Sequence, residues 1–431
     1  MGLEGIIKVN VGMFGFGTMG SSVVDYINRL YDKDKTGVEI NLERIVVRNL
    51  EKRRDVSFDE EKISDDIDDI LGSDDIDIVV ELIGGYEPSR TIILDSIEKG
   101  KDVVTANKAV LAKYGGEIFS NARRLRRNIG FQASVCGEMR VLDILFNIPS
   151  FKDVEAILGI VNGTSNYILS RMEDGESYED ALEEAYERGY AEKDTSLDVE
   201  GIDAAQKLSL LSSIVFGIFI DFEDISREGI SRVTKSDIKY ARTFGYVIRP
   251  LAIAKRRRDG LELRVHPTLV PETHPLAAVR GENNALSIYF SGRREPLTVI
   301  GKGAGEPAAR SIVTDIVDVA RKRDRGLLDL PRIEYSIERT KIKSVEEFKT
   351  PYCLRFFVED KPGTLGSIAL ILGNYGINIS GVAQVPEDKV GDIMPLAIKV
   401  ETAGDEAIYK ALADIRKLDR VKEILPIRIY E

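Results

Sequence analysis

Asp203 and Lys207 are the side chains whose types and spacing best suit acid–base chemistry. They are four residues apart, so on a helix they lie on the same face. Lysine donates a proton near neutral pH when partial burial lowers its pKa. The chain has only two histidines, His266 and His274, so proton transfer is expected from lysine or carboxyl groups. The alternative reading of Asp203 and Lys207 is an exposed helix ion pair that contributes little.

A glycine-rich hexapeptide near the start of the chain suggests a dinucleotide site. It consists of Gly15, Phe16, Gly17, Thr18, Met19 and Gly20. It follows an apolar run and precedes a helical pattern, so Gly15 would allow a tight turn, Gly17 a close approach to pyrophosphate, and Gly20 close packing. An ordinary glycine-rich turn is the alternative. The next strand ends at Arg48, which suits the 2′-phosphate of NADP, so we expect NADP, with NAD as the alternative.

The elements that would position these residues fall into three predicted domains. Strands alternate with helices over residues 1–150, which predicts a parallel, Rossmann-like dinucleotide-binding domain to which the chain returns at about 301–322. Residues 151–300 mix helices and strands, which indicates an α+β domain inserted between two parts of the first domain. Residues 323–350 are charged and are expected to be a linker. Residues 351–431 follow the ferredoxin-like order βαββαβ. The predicted fold class is therefore α/β.

The amino-acid composition disfavours several classes of function and location. Lys plus Arg number 60 and Asp plus Glu 72, giving a formal net charge of −12, which disfavours nucleic-acid or anionic-membrane partners. No apolar run is long enough to span a membrane, and no secretory signal is evident. Two widely separated cysteines argue against a disulfide framework and for a reducing, cytoplasmic location.

One long segment carries a specific resemblance. Residues 185–207, AYERGYAEKDTSLDVEGIDAAQK, resemble the signature of homoserine dehydrogenases. Three further segments occur in that family's order: TANK at 105–108, NGTSNY at 162–167 and GKGAG at 301–305. The C-terminal part is similar to an ACT domain, an amino-acid-sensing module found at the end of many such enzymes. The resemblance covers nearly the whole chain.

The resemblance implies NAD(P)H-dependent reduction of L-aspartate 4-semialdehyde to L-homoserine, on the route to threonine and methionine. It implies that Lys207 is the acid/base lysine and that Lys108 is a second catalytic lysine near nicotinamide and substrate. The implied substrate-binding residues are Glu192, Asp198, Asp203, Gly163, Thr164 and Tyr190. The implied cofactor-binding residues, besides the hexapeptide and Arg48, are Gly84, Thr105, Lys108, Gly189 and Gly305. Residues 151–300 would then be the substrate-binding and dimerisation domain, and a homodimer or higher homo-oligomer is expected.

Two departures from the family pattern qualify this assignment. Residues 132–140 align with a loop that holds a monovalent cation in the family, but Gln132 replaces its anionic ligand. We therefore expect a weakened or lost sodium site, with only weak candidates in Val135, Gly137 and Met139, and a Glu138–Arg140 contact in its place. Thr195 stands where the signature has proline. Cys136 in this loop is expected to be a buried structural cysteine.

The C-terminal pattern predicts regulation. Residues 360–365, DKPGTL, and 376–379, GINI, match the ACT pattern, with Gly363 and Asn378 as candidate effector-binding residues. Threonine is the effector that the resemblance implies, and a module that only dimerises is the alternative. Two other functions stay open: an oxidoreductase paralogue for a different amino aldehyde, and a catalytically silent amino-acid sensor.

Overall fold

The computed structural model describes residues 5–52, 56, 58–148, 151–191, 194–303, 307–331, 341–385 and 389–430. The strands in these residues are β1 (Ile7–Phe14), β2 (Val38–Val46), β3 (Ile63–Ser64), β4 (Ile78–Glu81), β5 (Asp102–Thr105), β6 (Ile129–Gly130), β7 (Val154–Ile160), β8 (Ser226–Arg227), β9 (Tyr246–Arg257), β10 (Gly260–Pro271), β11 (Asn283–Phe290), β12 (Leu297–Lys302), β13 (Lys349–Glu359), β14 (Ile379–Gln384), β15 (Ile393–Gly404) and β16 (Val421–Ile429). The α-helices are α1 (Thr18–Arg29), α2 (Lys33–Thr36), α3 (Asp68–Leu71), α4 (Ser89–Glu98), α5 (Lys108–Arg124), α6 (Val141–Phe146), α7 (Gly163–Glu173), α8 (Tyr178–Glu187), α9 (Ser196–Val199), α10 (Ile202–Phe216), α11 (Lys235–Thr243), α12 (Pro307–Asp324), α13 (Thr364–Asn374) and α14 (Asp405–Ile415).

The chain divides into two compact units. The first contains Met1–Asp153, Gln206–Phe222 and Gly301–Arg339, and the second contains the remainder. Helix α10 begins in the second unit and continues in the first. The predicted central and ACT domains therefore share one compact unit, while their boundaries as independently folding domains stay a prediction. The predicted linker lies partly on 332–340, outside the described residues, with α12 ending at Asp324 before it and β13 beginning at Lys349 after it.

The first unit contains a six-stranded parallel sheet in the order β3-β2-β1-β4-β5-β6. This is the strand order of a Rossmann fold, so the predicted parallel α/β sheet is confirmed. All four residues of β4 and of β5 are buried, as expected of central strands covered on both faces. Helix α12 packs on this sheet through Ala309, Ile312 and Ile316, which join a core with α1 and β1.

The second unit contains a ten-stranded sheet. Nine of its strands run in the order β12-β11-β7-β9-β10-β16-β13-β15-β14, and β8 pairs with β10 beside them. The last four strands and helices α13 and α14 follow the chain order βαββαβ, so the predicted ferredoxin-like arrangement is confirmed. Strand β16 pairs with β10 through Thr268–Arg428 and Leu269–Ile429, which makes the C-terminal module and the central strands one continuous sheet.

The sheet of the C-terminal module is covered on both faces. One face, including Leu354 and Phe356 of β13, packs on the module's own helices α13 and α14. The other face, including Cys353 of β13, packs on central helices with Ile168 of α7 and Ala241 of α11. Successive residues of a strand point to opposite faces, so the nearly continuous apolar run of β13 follows from burial on both sides.

Among the described residues, no helix is long and apolar enough to cross a membrane. Cys136 and Cys353 are both buried and are not joined in a disulfide, in agreement with the structural interpretation of Cys136.

Candidate active site

The three glycines of the hexapeptide have distinct environments at the β1–α1 junction. Gly15 has a φ of +100°, and a Cβ there would lie 2.8 Å from the Leu82 carbonyl oxygen. A Cβ on Gly20 would overlap the Gly15 carbonyl oxygen, so Gly20 allows α1 to approach the strand. A Cβ on Gly17 would meet nothing within 4 Å. The open space beside Gly17, at the start of α1, fits the pyrophosphate of a dinucleotide.

The other residues of the turn and the end of β2 frame this space. Phe16 is buried and its ring meets that of Phe58 edge-on, with centroids 6.2 Å apart. Thr18 is exposed and Met19 is half-buried at the first turn of α1. Arg48 follows β2 and is exposed, as a residue contacting a ribose substituent at this strand end would be.

The carboxyl ends of β4 and β5 present the remaining cofactor candidates of this unit. Gly84 follows β4 with a φ of +83° and open space around its Cα. Thr105 ends β5 and is buried. Lys108 is half-buried and is the first residue of α5, whose N-cap Asn107 accepts a hydrogen bond from the backbone N of Val110 (3.2 Å). Ligands bind at these strand ends in open parallel sheets, so all three lie where a cofactor is expected.

In the second unit, the structure brings Asp198 and Asp203 together around one amide. Asn162 Nδ2 donates to Asp198 Oδ1 (2.6 Å) and to Asp203 Oδ2 (2.8 Å). Asn162 Oδ1 also accepts from the backbone N of Ser165 (2.8 Å) and so caps α7. Asp203 is buried and Asp198 half-buried, so two carboxylates are held at adjacent positions. Two adjacent carboxylates can accept hydrogen bonds from an ammonium group.

Three more substrate candidates lie around the start of α7. Gly163 is its first residue, and a Cβ there would lie 2.7 Å from the Glu282 carbonyl oxygen. Thr164 Oγ1 donates to the Tyr190 carbonyl oxygen (2.6 Å). Tyr190 is half-buried, so Thr164 ties it to the same helix end as Asn162. Gly189, a cofactor candidate, precedes it with a φ of +74°.

Lys207 is half-buried and lies one helical turn after Asp203 on α10. The predicted helix, and with it the shared face of Asp203 and Lys207, is therefore confirmed. Two sequence candidates, Glu192 and Gly305, lie outside the described residues.

The loop at 132–143 corrects one expectation. The predicted Glu138–Arg140 contact is wrong: Arg140 pairs with Asp143 and with Asp318 (3.2 Å), and Glu138 is exposed. Arg140 is the N-cap of α6 and has a φ of +47°. Gln132 Nε2 donates to the same Asp143.

The candidate sodium ligands lie in this loop but fit a cation poorly. Val135, Gly137 and Met139 are buried. The Gly137 carbonyl oxygen already accepts from Ser311 Oγ (2.9 Å) and the Arg140 backbone N (3.3 Å), and Gln132 carries no charge. The weakened sodium site stays a prediction. Across the described ranges, no cluster of three or more His, Cys, Asp or Glu side chains could hold a metal ion.

The effector candidates lie at the surface of the C-terminal module. Gly363 is the N-cap of α13 with a φ of +87° and is exposed. Asn378 is exposed before β14, and its Nδ2 donates to Glu401 Oε2 (3.2 Å). The backbone N–H groups at the start of α13 could bind a carboxylate.

Sequence reasoning missed two residues of this site. Asn162 joins the acidic pair, and Glu81 is a buried carboxylate at the end of β4. The signal for Asn162 was present in the NGTSNY segment, where asparagine before a helix is a typical N-cap. The signal for Glu81 was a charged residue ending an otherwise apolar buried strand.

A Rossmann sheet with an open glycine turn at the start of α1 is typical of dinucleotide-dependent dehydrogenases. Comparisons with known proteins agree. The family model "Homoserine dehydrogenase, NAD binding domain" matches residues 15–132, "Homoserine dehydrogenase" matches 141–317, and "ACT domain" matches 354–417.

Relatives extend the match over nearly the full length. The chain is 37% identical to a homoserine dehydrogenase of Pseudomonas aeruginosa, over 98% of this chain and 99% of the relative, and 34% identical to that of Bacillus subtilis, over 96% and 97%. A crystal structure of a homoserine dehydrogenase from Thiobacillus denitrificans superposes with a TM-score of 0.88 at 37% identity, covering 99% of both chains. A hyperthermophilic archaeal homoserine dehydrogenase in complex with NADPH gives a TM-score of 0.61 at 25% identity, covering 73% of this chain and 98% of that one.

The chain belongs to the homoserine dehydrogenase family. It is an NAD(P)-dependent oxidoreductase that interconverts L-aspartate 4-semialdehyde and L-homoserine and carries an ACT domain. The paralogue for a different amino aldehyde and the silent sensor find no support in these relatives.

Proposed function

We propose that Lys207 is the proton donor of the reaction and that Asp198 and Asp203, with Glu192, bind the substrate ammonium. The bound nicotinamide cofactor supplies the hydride to the aldehyde carbon. The Lys207 ammonium gives its proton to the aldehyde oxygen, and in the reverse direction the neutral amine takes it back. Lys108 at the start of α5 adds positive charge near the developing alkoxide. Thr164 and Gly163 hold the start of α7 and Tyr190 in place for the substrate.

The observation that carries this proposal is the single amide shared by two carboxylates. Asn162 Nδ2 donates to both Asp198 and Asp203, and Asp203 lies one turn from Lys207 on α10. An exposed ion pair, the alternative interpretation, does not explain why Asp203 is buried and held by an amide.

Lys207→Ala tests the proton donor. The variant should bind NADPH as the wild type does and lose at least about 100-fold in kcat, because general acid catalysis contributes that much. The matched control is Lys410→Ala, which removes the lysine of another i,i+4 acid–lysine pair, with Glu406 on α14. Full turnover in Lys207→Ala, or equal losses in both variants, contradicts the proposal.

We propose NADP as the preferred cofactor, with the glycine turn, Gly84, Thr105, Gly189 and Gly305 around it. Arg48 supports this choice because it is exposed directly after β2, where a guanidinium can pair with a 2′-phosphate. The archaeal relative solved with NADPH is consistent with it. Arg48→Ala should weaken NADPH binding about tenfold and leave NADH binding unchanged in calorimetry.

We propose that threonine binds the ACT domain between two copies of this chain, at Gly363 and Asn378, and inhibits the enzyme. Exposed apolar side chains on α13 and the sheet-edge strand β14 support pairing; they are Leu365, Leu370, Ile379 and Val382. Calorimetric titration with threonine beside an activity assay tests this proposal, and heat without inhibition would leave a module that only binds. We also propose a reducing cytoplasmic location, which two buried cysteines without a disulfide between them support.

A further inference from the structure

We propose that Glu81 is a positioning residue that orders the nicotinamide half of the cofactor site. Glu81 is the last residue of β4 and has no exposed surface. In the order β3-β2-β1-β4-β5-β6, the turns after β4 and β5 belong to the second mononucleotide-binding half. The inference rests on the proposed cofactor site, because Glu81 acts through residues placed there.

The carboxylate of Glu81 joins three separate segments. Its Oε1 accepts from the backbone N of Ile83 (2.8 Å), the backbone N of Gly84 (3.2 Å) and Ser89 Oγ (2.9 Å). Its Oε2 accepts from Thr105 Oγ1 (2.8 Å). The turn after β4, the first residue of α4 and the end of β5 are therefore held by one buried side chain.

The network continues from Thr105 to the start of α5. Thr105 Oγ1 accepts from the backbone N of Asn107 (3.0 Å), and Asn107 Nδ2 donates to the Gly85 carbonyl oxygen (2.8 Å). Asn107 is the N-cap of α5, which begins at Lys108. Glu81 thus fixes, through two routes, both the Gly84–Gly85 turn and the residue that precedes Lys108.

The hydrogen bonds around Glu81 suit a side chain whose two terminal atoms both accept. All four partners of Glu81 are donors, and a carboxylate offers acceptor sites on both oxygens. A glutamine has the same shape but directs an N–H group at one set of donors. The substitution Glu81→Gln therefore disturbs the network without opening a cavity.

The chain offers a matched control at the opposite end of the same strand pair. Asp102 is a buried carboxylate at the start of β5, in register with Ile78, whereas Thr105 is in register with Glu81. Asp102 accepts from the backbone N of Asn128 (2.6 Å) and from Arg323 (3.1 Å). Asp102→Asn therefore disturbs a buried carboxylate of the same sheet at the amino ends of the strands, away from the ligand-binding edge.

The test compares the affinities of NADPH and of 2′-phospho-ADP-ribose, which lacks the nicotinamide, for the full-length protein by calorimetry. In Glu81→Gln the Kd of NADPH should rise about tenfold while the Kd of the fragment stays that of the wild type, since a hydrogen bond to a charged group is worth about that factor. Asp102→Asn should lower the unfolding midpoint and leave the ratio of the two Kd values unchanged.

Each result decides the proposal. In Glu81→Gln, an unchanged Kd for NADPH overturns it, and so does an equal rise in the Kd values of NADPH and the fragment. A purely structural role predicts one of these two results. If Glu81→Gln does not fold, Ser89→Ala takes its place: it removes one of the four donors at a residue that is not a cofactor candidate, and the same shift in the ratio is expected. A wild type that binds NADPH and the fragment equally also overturns it, because the nicotinamide half then adds no affinity. A wild type that binds neither ligand shows instead that the proposed cofactor site is wrong.

Discussion

At the scale of single residues, Asn162 decides whether the acidic pair can form. Two carboxylates at adjacent positions repel each other, and the amide that donates to both reduces that cost. The same side chain caps α7, so the geometry of the acidic pair and the start of the helix depend on one residue. We therefore place Asn162 among the residues that determine substrate affinity.

Asn162→Ala should raise the KM for homoserine about tenfold or more and leave the Kd of NADPH unchanged. The loss of a cap alone costs about 1 kcal/mol of stability and does not change substrate affinity. Ser177→Ala is the matched control, because Ser177 caps α8 in the same way by accepting from the Asp180 backbone N (3.0 Å). Steady-state kinetics with both variants separate the two effects; an equal KM in the two variants refutes the assignment.

At the scale of elements, two glycines of the β1–turn–α1 unit have different roles, one in folding and one in binding. Gly20 is required by packing, since a Cβ would overlap the Gly15 carbonyl oxygen, whereas Gly17 has open space and a φ of −85°. The two glycines therefore serve different ends although they belong to one motif.

The same substitution at the two glycines, Gly17→Ala and Gly20→Ala, should have opposite effects on stability and on NADPH binding. Gly20→Ala should lower the free energy of unfolding by about 1–3 kcal/mol, because α1 must move. Gly17→Ala should change stability by less than about 1 kcal/mol and weaken NADPH binding at least about tenfold, because its methyl group occupies the space of the pyrophosphate. Denaturant titration and calorimetry on both variants check this; reversed results would show that the turn is packed differently.

Local sequence patterns predicted these elements correctly because the interactions that form them join residues close together in the sequence. The glycine spacing, the helix that carries Asp203 and Lys207, and the βαββαβ order each depend on neighbouring residues. The Glu138–Arg140 contact failed for the opposite reason: Arg140 pairs with Asp318, which is 178 residues further along the chain. Neither the four donors around Glu81 nor the meeting of Asn162 with Asp203 is visible in residue spacing.

At the scale of the whole molecule, a buried histidine in the second unit predicts a response of stability to pH. His266 is buried on β10, and desolvation together with the nearby Arg428, Arg264 and Lys255 holds its pKa well below 6.5. The folded protein therefore keeps His266 neutral while the unfolded chain takes up a proton below pH 6.5. Stability is fully present above that pH and falls as the pH drops towards the pKa of the folded state.

Between pH 6.5 and 5.5 this residue should cost the wild type about 1 kcal/mol of unfolding free energy. The free energy of unfolding of His266→Gln should fall by correspondingly less over the same interval, whatever the stability of this variant at pH 7.5. Part of the slope remains, because burial also lowers the pKa of His274. Urea titrations at pH 7.5, 6.5 and 5.5 measure how the free energy of unfolding depends on pH. An equal dependence in variant and wild type would contradict the prediction.

The pairing of β16 with β10 limits how the C-terminal module of such an enzyme could be exchanged. Replacing residues 349–431 with a sensor for another amino acid would strip β10 of its neighbour and uncover Ile168 and Ala241, which pack against the module's inner face. A successful chimera must therefore import a terminal strand that matches this edge and a compatible inner surface. Because the ACT module completes the sheet of the central strands, recombination between relatives should keep β10 and β16 from the same parent.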